Sequence, residues 1–379
     1  MGPFSSALRA DGLGVIAEFK RRSPSAGELR PDGDPMELTV AFSRAGAAAV
    51  SVLVDERFGG SLADLKAART AAPDTALLAK GFFREELHLL QLKLAGADAA
   101  LLILRDLDDD RVQAMMAYAT ELRLETLVEA HDEAELERAI ALNAPVIGIN
   151  ARDLSTFRID RRAQLDLVAS APRDRVIVAE SAIDSRAQGA AAGELGGSAL
   201  MRAADPAAKL RELLSRPLVK VCGLTREEDL EVAVEAGADL VGFILAKESP
   251  RRAERVLDVP DTMLSVAVFV EEVTDSGADL KQWYAREDGH RSRDGLLFRE
   301  DERVGTVIDL PWQQADPTHL DRARAAEGRV MLAGGLAADN VREAIDAVHP
   351  WAVDASSRLE VRPGVKDHDA VRAFVEAAR

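Results

Sequence analysis

QLKLAGADAALLIL, residues 91–104, decides the fold. The glycine at 96 fits the position just beyond a helix end, where the left-handed conformation costs it no Cβ clash. The chain then turns directly into AALLIL, a run apolar on both faces. A strand of that kind, entered from a helix, belongs to a parallel sheet covered by helices. The same joint recurs as AGAA at 45–48 and AGAD at 236–239. Two copies in the first half and one in the second point to one architecture used twice.

Working outward, strand-like runs are predicted at 15–19, 48–54, 76–79, 99–104, 126–128, 146–149 and 176–179. Helical stretches lie between them, such as 132–143, where Leu136, Ala139 and Ile140 recur at helical spacing. A helix ending near 214 precedes Arg216-Pro217, and a second series follows at 218–222, 240–245, 264–270, 280–284, 304–308, 330–333 and 352–353. Repeated βα units that can close on themselves predict an α/β protein of two tandem (β/α)8 barrels, residues 1–216 and 217–379. An open doubly wound sheet is the rival. Its only fingerprint, Gly12-x-Gly14-x-x-Ala17, precedes a strand instead of following one. Two places predict reduced elements. GELGGSALMR at 193–202 lacks the apolar run of an eighth strand, so the first barrel would close on a very short one. The stretch 289–312 is compressed, so one βα unit would shrink to a hairpin near 295–310.

Composition narrows the function. The 379 residues are 47% hydrophobic and 30% charged, which excludes a disordered chain. A net charge of −17 argues against nucleic-acid or anionic-membrane partners, both of which would repel it. One cysteine excludes a disulfide framework, and no apolar run approaches the roughly 18 residues that span a bilayer. A cytoplasmic, monomeric protein is expected.

In a barrel, reactive residues sit at the carboxyl ends of strands, where the βα loops open on one face. In the first half those ends carry Glu18 and Lys20, Lys80, Glu129, Asn150, and Glu180-Ser181. Glu18 and Lys20 are two apart and face the same side. Two ammonium groups among several carboxylates make a site for moving protons, with a lysine as acid toward a leaving hydroxyl and a carboxylate as base. VIAEFKRRSPSAG at 15–27, LVEAHDEAELERAI at 127–140, GINARDL at 148–154 and AES at 179–181 resemble the indole-3-glycerol phosphate synthase family over about residues 4–215. The resemblance implies closure of a carboxyphenylamino-deoxyribulose phosphate to an indole, with loss of carbon dioxide and water. It implies Lys80 as general acid and Glu129 as base, with Lys20 holding the anthranilate carboxylate. Glu18, Asn150, Glu180 and Ser181 would complete the site. Ser23, Phe58, Arg152 and the turn Gly197-Ser198 would contact substrate or phosphate.

In the second half VKVCGLT at 219–225 places Cys222 at a strand end. There a partly exposed thiolate can serve as a base. GFILAKESPR at 242–251, LAGGLAADNV at 332–341, VDASS at 353–357 and PGVKD at 363–367 follow. Gly334-Gly335 and Ser356-Ser357 suit a phosphate held by amides and hydroxyls. These motifs resemble phosphoribosylanthranilate isomerase over 218–379. The resemblance implies an Amadori rearrangement with Cys222 as base, Arg251 as partner of the anthranilate carboxylate, and Asp309, ending TVID, as the acid. The family's Gln-Leu-His-Gly stands here as Gln282-Trp283-Tyr284-Ala285, and Arg358 follows the paired serines where a glycine is usual. Together the halves imply a bifunctional enzyme of tryptophan biosynthesis that acts on small anionic phosphosugar-anthranilate substrates and needs no metal or organic cofactor. Competing readings keep only one half catalytic, the other being a phosphosugar-binding scaffold, or make both halves binding modules.

Overall fold

A computed structural model describes residues 2–9, 14–23, 27–150, 161–172, 174–180, 183, 185–192, 195–196, 198–287, 289–299, 301–310, 316 and 318–379. The chain divides into two compact units, Met1–Leu214 and Ser215–Arg379.

In the first unit eight parallel strands form one sheet: β1 (Ile16–Phe19), β2 (Ala49–Leu53), β3 (Ala76–Lys80), β4 (Ala99–Ile103), β5 (Glu125–Ala130), β6 (Val146–Asn150), β7 (Val176–Glu180) and β8 (Leu195–Gly196). Each of β1 to β6 pairs with the next, and β8 pairs onto β1 through Ile16–Leu195 and Ala17–Gly196, so that β7 and β8 end the ladder among the described residues. This is the circular order of a βα barrel. The eighth strand has two residues, as the missing apolar run predicts. The joints read from sequence hold: Gly46 and Gly96 stand at φ 98° and 102°, each between a helix and the next strand. Burial follows from the composition of the strands, since β2 and β4 are buried at every position. A helix at the amino terminus, α1 (Pro3–Leu8), sits against the end of the sheet opposite the carboxyl ends of the strands. Glu125, the first residue of β5, accepts hydrogen bonds from the amides of Phe4 (2.8 Å) and Ser5 (3.2 Å), and Phe4 is fully buried.

The second unit is a closed barrel: β9 (Leu218–Cys222), β10 (Leu240–Ile244), β11 (Leu264–Val270), β12 (Leu280–Tyr284), β13 (Gly295–Arg299), β14 (Glu302–Ile308), β15 (Val330–Leu332) and β16 (Ala352–Ala355), with β16 pairing β9. Seven strands run parallel and β13 runs antiparallel to both neighbours. The hairpin foreseen near 295–310 is therefore β13–β14, which still counts as two staves of the barrel. The reversal explains the compression of the sequence. A parallel neighbour needs a crossover of a dozen or more residues, whereas Arg299 pairs with Glu302 across a two-residue turn. Helices follow β9, β14, β15 and β16 among the described residues. Gly237, at φ 83°, closes the helix Glu227–Ala236 at the third predicted joint.

Candidate active sites

In the first unit the strand ends bring Glu18, Lys20, Lys80, Glu129 and Glu180 together. Lys80 Nζ lies 2.5 Å from Glu180 Oε2, 3.6 Å from Glu18 Oε2 and 3.8 Å from Glu129 Oε2. Lys20 Nζ reaches Glu18 Oε1 at 2.5 Å, which realises the two-residue spacing. Burial works to strip Lys80 of its proton, but the charges of Glu180, Glu18 and Glu129 outweigh it and hold the ammonium charged well above the ordinary lysine range. Burial likewise raises Glu18 and Glu129. The charges of Lys20 and Lys80 overcome it at Glu18, and the hydrogen bond from His131 with the charge of Lys80 overcomes it at Glu129, so both carboxyls stay low. Glu180 is wholly buried and faces Glu129 without a partner like His131. It is driven up although it makes the shortest contact to Lys80. Within the pair Glu129–Glu180, burial and the facing carboxylate push Glu180 up, while His131 and Lys80 hold Glu129 down.

His131 follows β5, two residues after Glu129, with its ring almost fully buried. Nε2 stands 3.2 Å from Glu129 Oε1 and Nδ1 3.0 Å from Glu135 Oε2, while Arg105 Nε holds Glu135 at 3.2 Å. Burial opposes its charge, but the two carboxylates raise it to about 9. Asn150 ends β6 beside Glu180 in register. Ser23 is buried in a short ribbon after β1. Phe58 follows β2 and stacks on Phe82, which follows β3, with centroids 6.4 Å apart and the Arg57 guanidinium 3.9 Å from the Phe82 ring centre. Ser181, Arg152, Gly197 and the side chain of Ser198 lie outside the described residues.

In the second unit a cleft of about 240 Å³ is lined by Cys222, Arg251, Asp309, Gly334, Gly335, Ser356 and Ser357, among others. All the strand-end and phosphate candidates of this half thus share one hollow. Burial raises the Cys222 thiol, opposed by the charge of Lys220. Lys220 sits two residues earlier on β9, fully buried, with Nζ 2.5 Å from Gln282 Oε1 and 3.0 Å from Asp354 Oδ2. Gln282 Nε2 donates to the Tyr284 hydroxyl at 2.7 Å, and that hydroxyl donates to Asp309 Oδ2 at 3.1 Å. Arg251 Nε is bound to Glu360 at 2.7 Å, and Lys366 Nζ holds the same carboxylate at 3.0 Å. Gly334 and Gly335 have φ of 93° and 68°, which turns the chain sharply at the rim. The buried Ser356 hydroxyl beside them has no hydrogen-bond partner among the described residues. Arg358 donates to the Gly335 carbonyl at 3.2 Å and pairs with Asp339 at 2.7 Å.

His131 and Lys220 lie inside the motifs at 127–140 and 219–225 without being candidates there, and Arg291 lies in no motif. For the first two a signal was present, because each lies two residues from a strand-end candidate and so faces the same side. Among the described residues no three His, Cys, Asp or Glu side chains group as a metal site would require, and no helix is long and apolar enough to cross a membrane.

The profile of indole-3-glycerol phosphate synthase matches residues 3–213, and that of N-(5'-phosphoribosyl)anthranilate isomerase matches residues 292–377. An indole-3-glycerol phosphate synthase of a Nocardioides species is 47% identical over 213 residues, covering 54% of this chain and 82% of that protein. The tryptophan biosynthesis protein TrpCF of Yersinia pestis is 31% identical over 415 aligned positions, covering 99% of this chain and 87% of that protein. A multifunctional tryptophan biosynthesis protein of Phycomyces blakesleeanus is 30% identical across 98% of this chain, which spans 63% of its length. The substrates are small, phosphate-bearing molecules. The chain belongs to the indole-3-glycerol phosphate synthase family and joins that domain to a phosphoribosylanthranilate isomerase domain in one bifunctional lyase and isomerase of tryptophan biosynthesis.

Proposed function

We propose that residues 217–379 convert N-(5-phosphoribosyl)anthranilate to the carboxyphenylamino-deoxyribulose phosphate, and that residues 1–216 close that product to indole-3-glycerol phosphate. In the isomerase Asp309 gives a proton to the ring oxygen as the sugar opens, and Cys222 takes the proton from the neighbouring carbon. The resulting enolamine relaxes to the ketose. Lys220, charged and buried behind Cys222, favours the thiolate at the moment it is needed. Gly334, Gly335, Ser356 and Ser357 hold the phosphate through amides and hydroxyls, and Arg251 faces the anthranilate carboxylate.

In the synthase the ring carbon bearing the carboxylate attacks the ketone carbon. The ketone oxygen takes a proton and becomes a hydroxyl, and carbon dioxide leaves its bonding pair to restore the aromatic ring. The hydroxyl then departs as water with a proton from Lys80, while Glu129 removes a proton from the carbon bound to nitrogen, which completes the indole. Glu129, kept ionised by His131, is the base. Lys20 holds the substrate carboxylate, with Glu18, Asn150, Glu180 and Ser181 around it. Phe58, with Phe82, packs the aromatic ring, while Ser23, Arg152, Gly197 and Ser198 serve the substrate and its phosphate. The observation that carries this reading is the convergence of Lys80 on Glu18, Glu129 and Glu180 within 3.8 Å. The protein works as a cytoplasmic monomer on these small anions, with no nucleic-acid or membrane partner. Purified protein supplied with N-(5-phosphoribosyl)anthranilate alone should release one carbon dioxide per indole product. Isomerisation without carbon dioxide release would refute the synthase half.

A further inference from the structure

Arg291 enters the second cleft because β13 is reversed. An antiparallel strand starts at the mouth of the barrel, so residues 285–287 and 289–294 lie at that mouth before the strand begins. Arg286 anchors the segment through Glu271 (3.1 Å) and Glu248 (3.2 Å). Arg291 then projects inward, with its guanidinium 4.1 Å from the centre of the Tyr284 ring and Nη2 3.0 Å from Asp309 Oδ2, its side chain one-third exposed to the cleft.

We infer that Arg291 exchanges partners in the isomerase cycle: it pairs with Asp309 in the free enzyme and moves to the substrate's carboxylate, which it then shares with Arg251, so that binding of an anionic substrate and protonation of Asp309 occur together. The inference rests on the isomerase reading above. An acid must hold its proton before it can give it. A neutral Asp309 would leave a largely buried guanidinium without a counter-charge, a costly state. The arriving carboxylate supplies that charge and suits the planar fork.

The other groups that face Asp309 do not replace it. Tyr284 donates a neutral hydroxyl, Asp294 accepts the Asp309 amide at 3.1 Å, and Arg322 donates to its carbonyl at 3.3 Å. Asp354, which also bears on it through charge, is paired with Lys220. Nor do the other arginines of the cleft face the same demand. Arg251 is held by buried Glu360 and Arg358 by Asp339, carboxylates that take no part in the reaction. Arg291 alone of the three is paired with the group that must change charge.

The test is calorimetry on the full chain in buffers of different ionisation enthalpy, with two probes. One is the carboxyphenylamino-deoxyribitol phosphate; the other is the same molecule without the carboxylate. Wild type and Arg291→Met share the first unit, so their difference reports the second cleft. For the carboxylate probe, wild type should bind about 10- to 100-fold tighter than the variant and take up close to one additional proton. For the probe without the carboxylate, the two proteins should agree within twofold and in proton count. Arg291→Lys, which keeps the charge and loses the fork, should retain the proton uptake with intermediate affinity, and it carries the test if the methionine variant does not fold. Equal losses for both probes, or no loss, would overturn the inference. Absence of isomerisation by the wild-type chain would instead remove the reading on which it rests.

Discussion

Replacing Lys80 with methionine removes the one cation that three carboxylates share. Its Nζ lies 2.5, 3.6 and 3.8 Å from Glu180, Glu18 and Glu129, and its side chain is 12% exposed, so water cannot take its place. Losing one partner of a buried ion pair costs about 3–5 kcal/mol, a factor of roughly 10² to 10⁴ in the unfolding constant. Chemistry should suffer separately, since a positioned general acid contributes about 10²- to 10⁴-fold. The two effects can be measured apart. Trp283, Trp312 and Trp351 all belong to the second unit, so loss of helical signal in urea without a change in tryptophan fluorescence reports the first unit alone. The stability deficit should shrink between pH 7 and pH 5, as the orphaned carboxylates become able to take up protons. Isomerisation by the same variant should stay within about twofold of wild type. A synthase rate within tenfold of wild type would refute the assignment of Lys80 as acid. Unchanged stability would refute the claim that it holds the carboxylates in place.

Further outcomes follow from the same geometry. Gly148 lies where an added Cβ would collide with Glu180 Oε1, so Gly148→Ala should cut synthase turnover at least about tenfold and spare the isomerase, measured on the two substrates separately. Gly242 is its counterpart in the second barrel, with an added Cβ 2.5 Å from Cys222 Sγ. Gly242→Ala should impair isomerisation and leave indole formation intact. His131→Asn should destabilise the first unit by on the order of 3 kcal/mol below pH 6.5, the size of a shift from 6.5 to about 9. Because the folded value is the higher one, that contribution is present below pH 6.5 and fades as pH rises through 9. Urea titrations at pH 6 and pH 9.5 check this, and a deficit that grew with pH would contradict the ion-pair account.

Much of this arrangement is legible in the sequence because the constraints behind it are local. Gly46, Gly96 and Gly237 mark helix-to-strand joints since only a left-handed residue fits there, and the strands that follow are apolar on both faces. From those joints the strand ends, and hence Glu18, Lys80, Glu129, Glu180 and Cys222, can be placed in register. What stays hidden depends on distant partners. The first helix is fixed by Glu125, more than a hundred residues away. GLLFR at 295–299 carries no mark of its direction in its own residues; only the compressed spacing of 289–312 foretells the hairpin. Arg291 reaches the cleft only because that strand is reversed. His131 and Lys220 were within reach, being two residues from the named candidates Glu129 and Cys222.

The central claim is that one chain carries two independent proton-transfer sites acting in succession. Supply N-(5-phosphoribosyl)anthranilate to Lys80→Met and to Cys222→Ala, and follow the carboxyphenylamino-deoxyribulose phosphate by chromatography. Lys80→Met should accumulate it, while Cys222→Ala should form none from that substrate yet consume it when it is added directly. If either substitution abolished both conversions, or neither substitution blocked its own, the account would be contradicted.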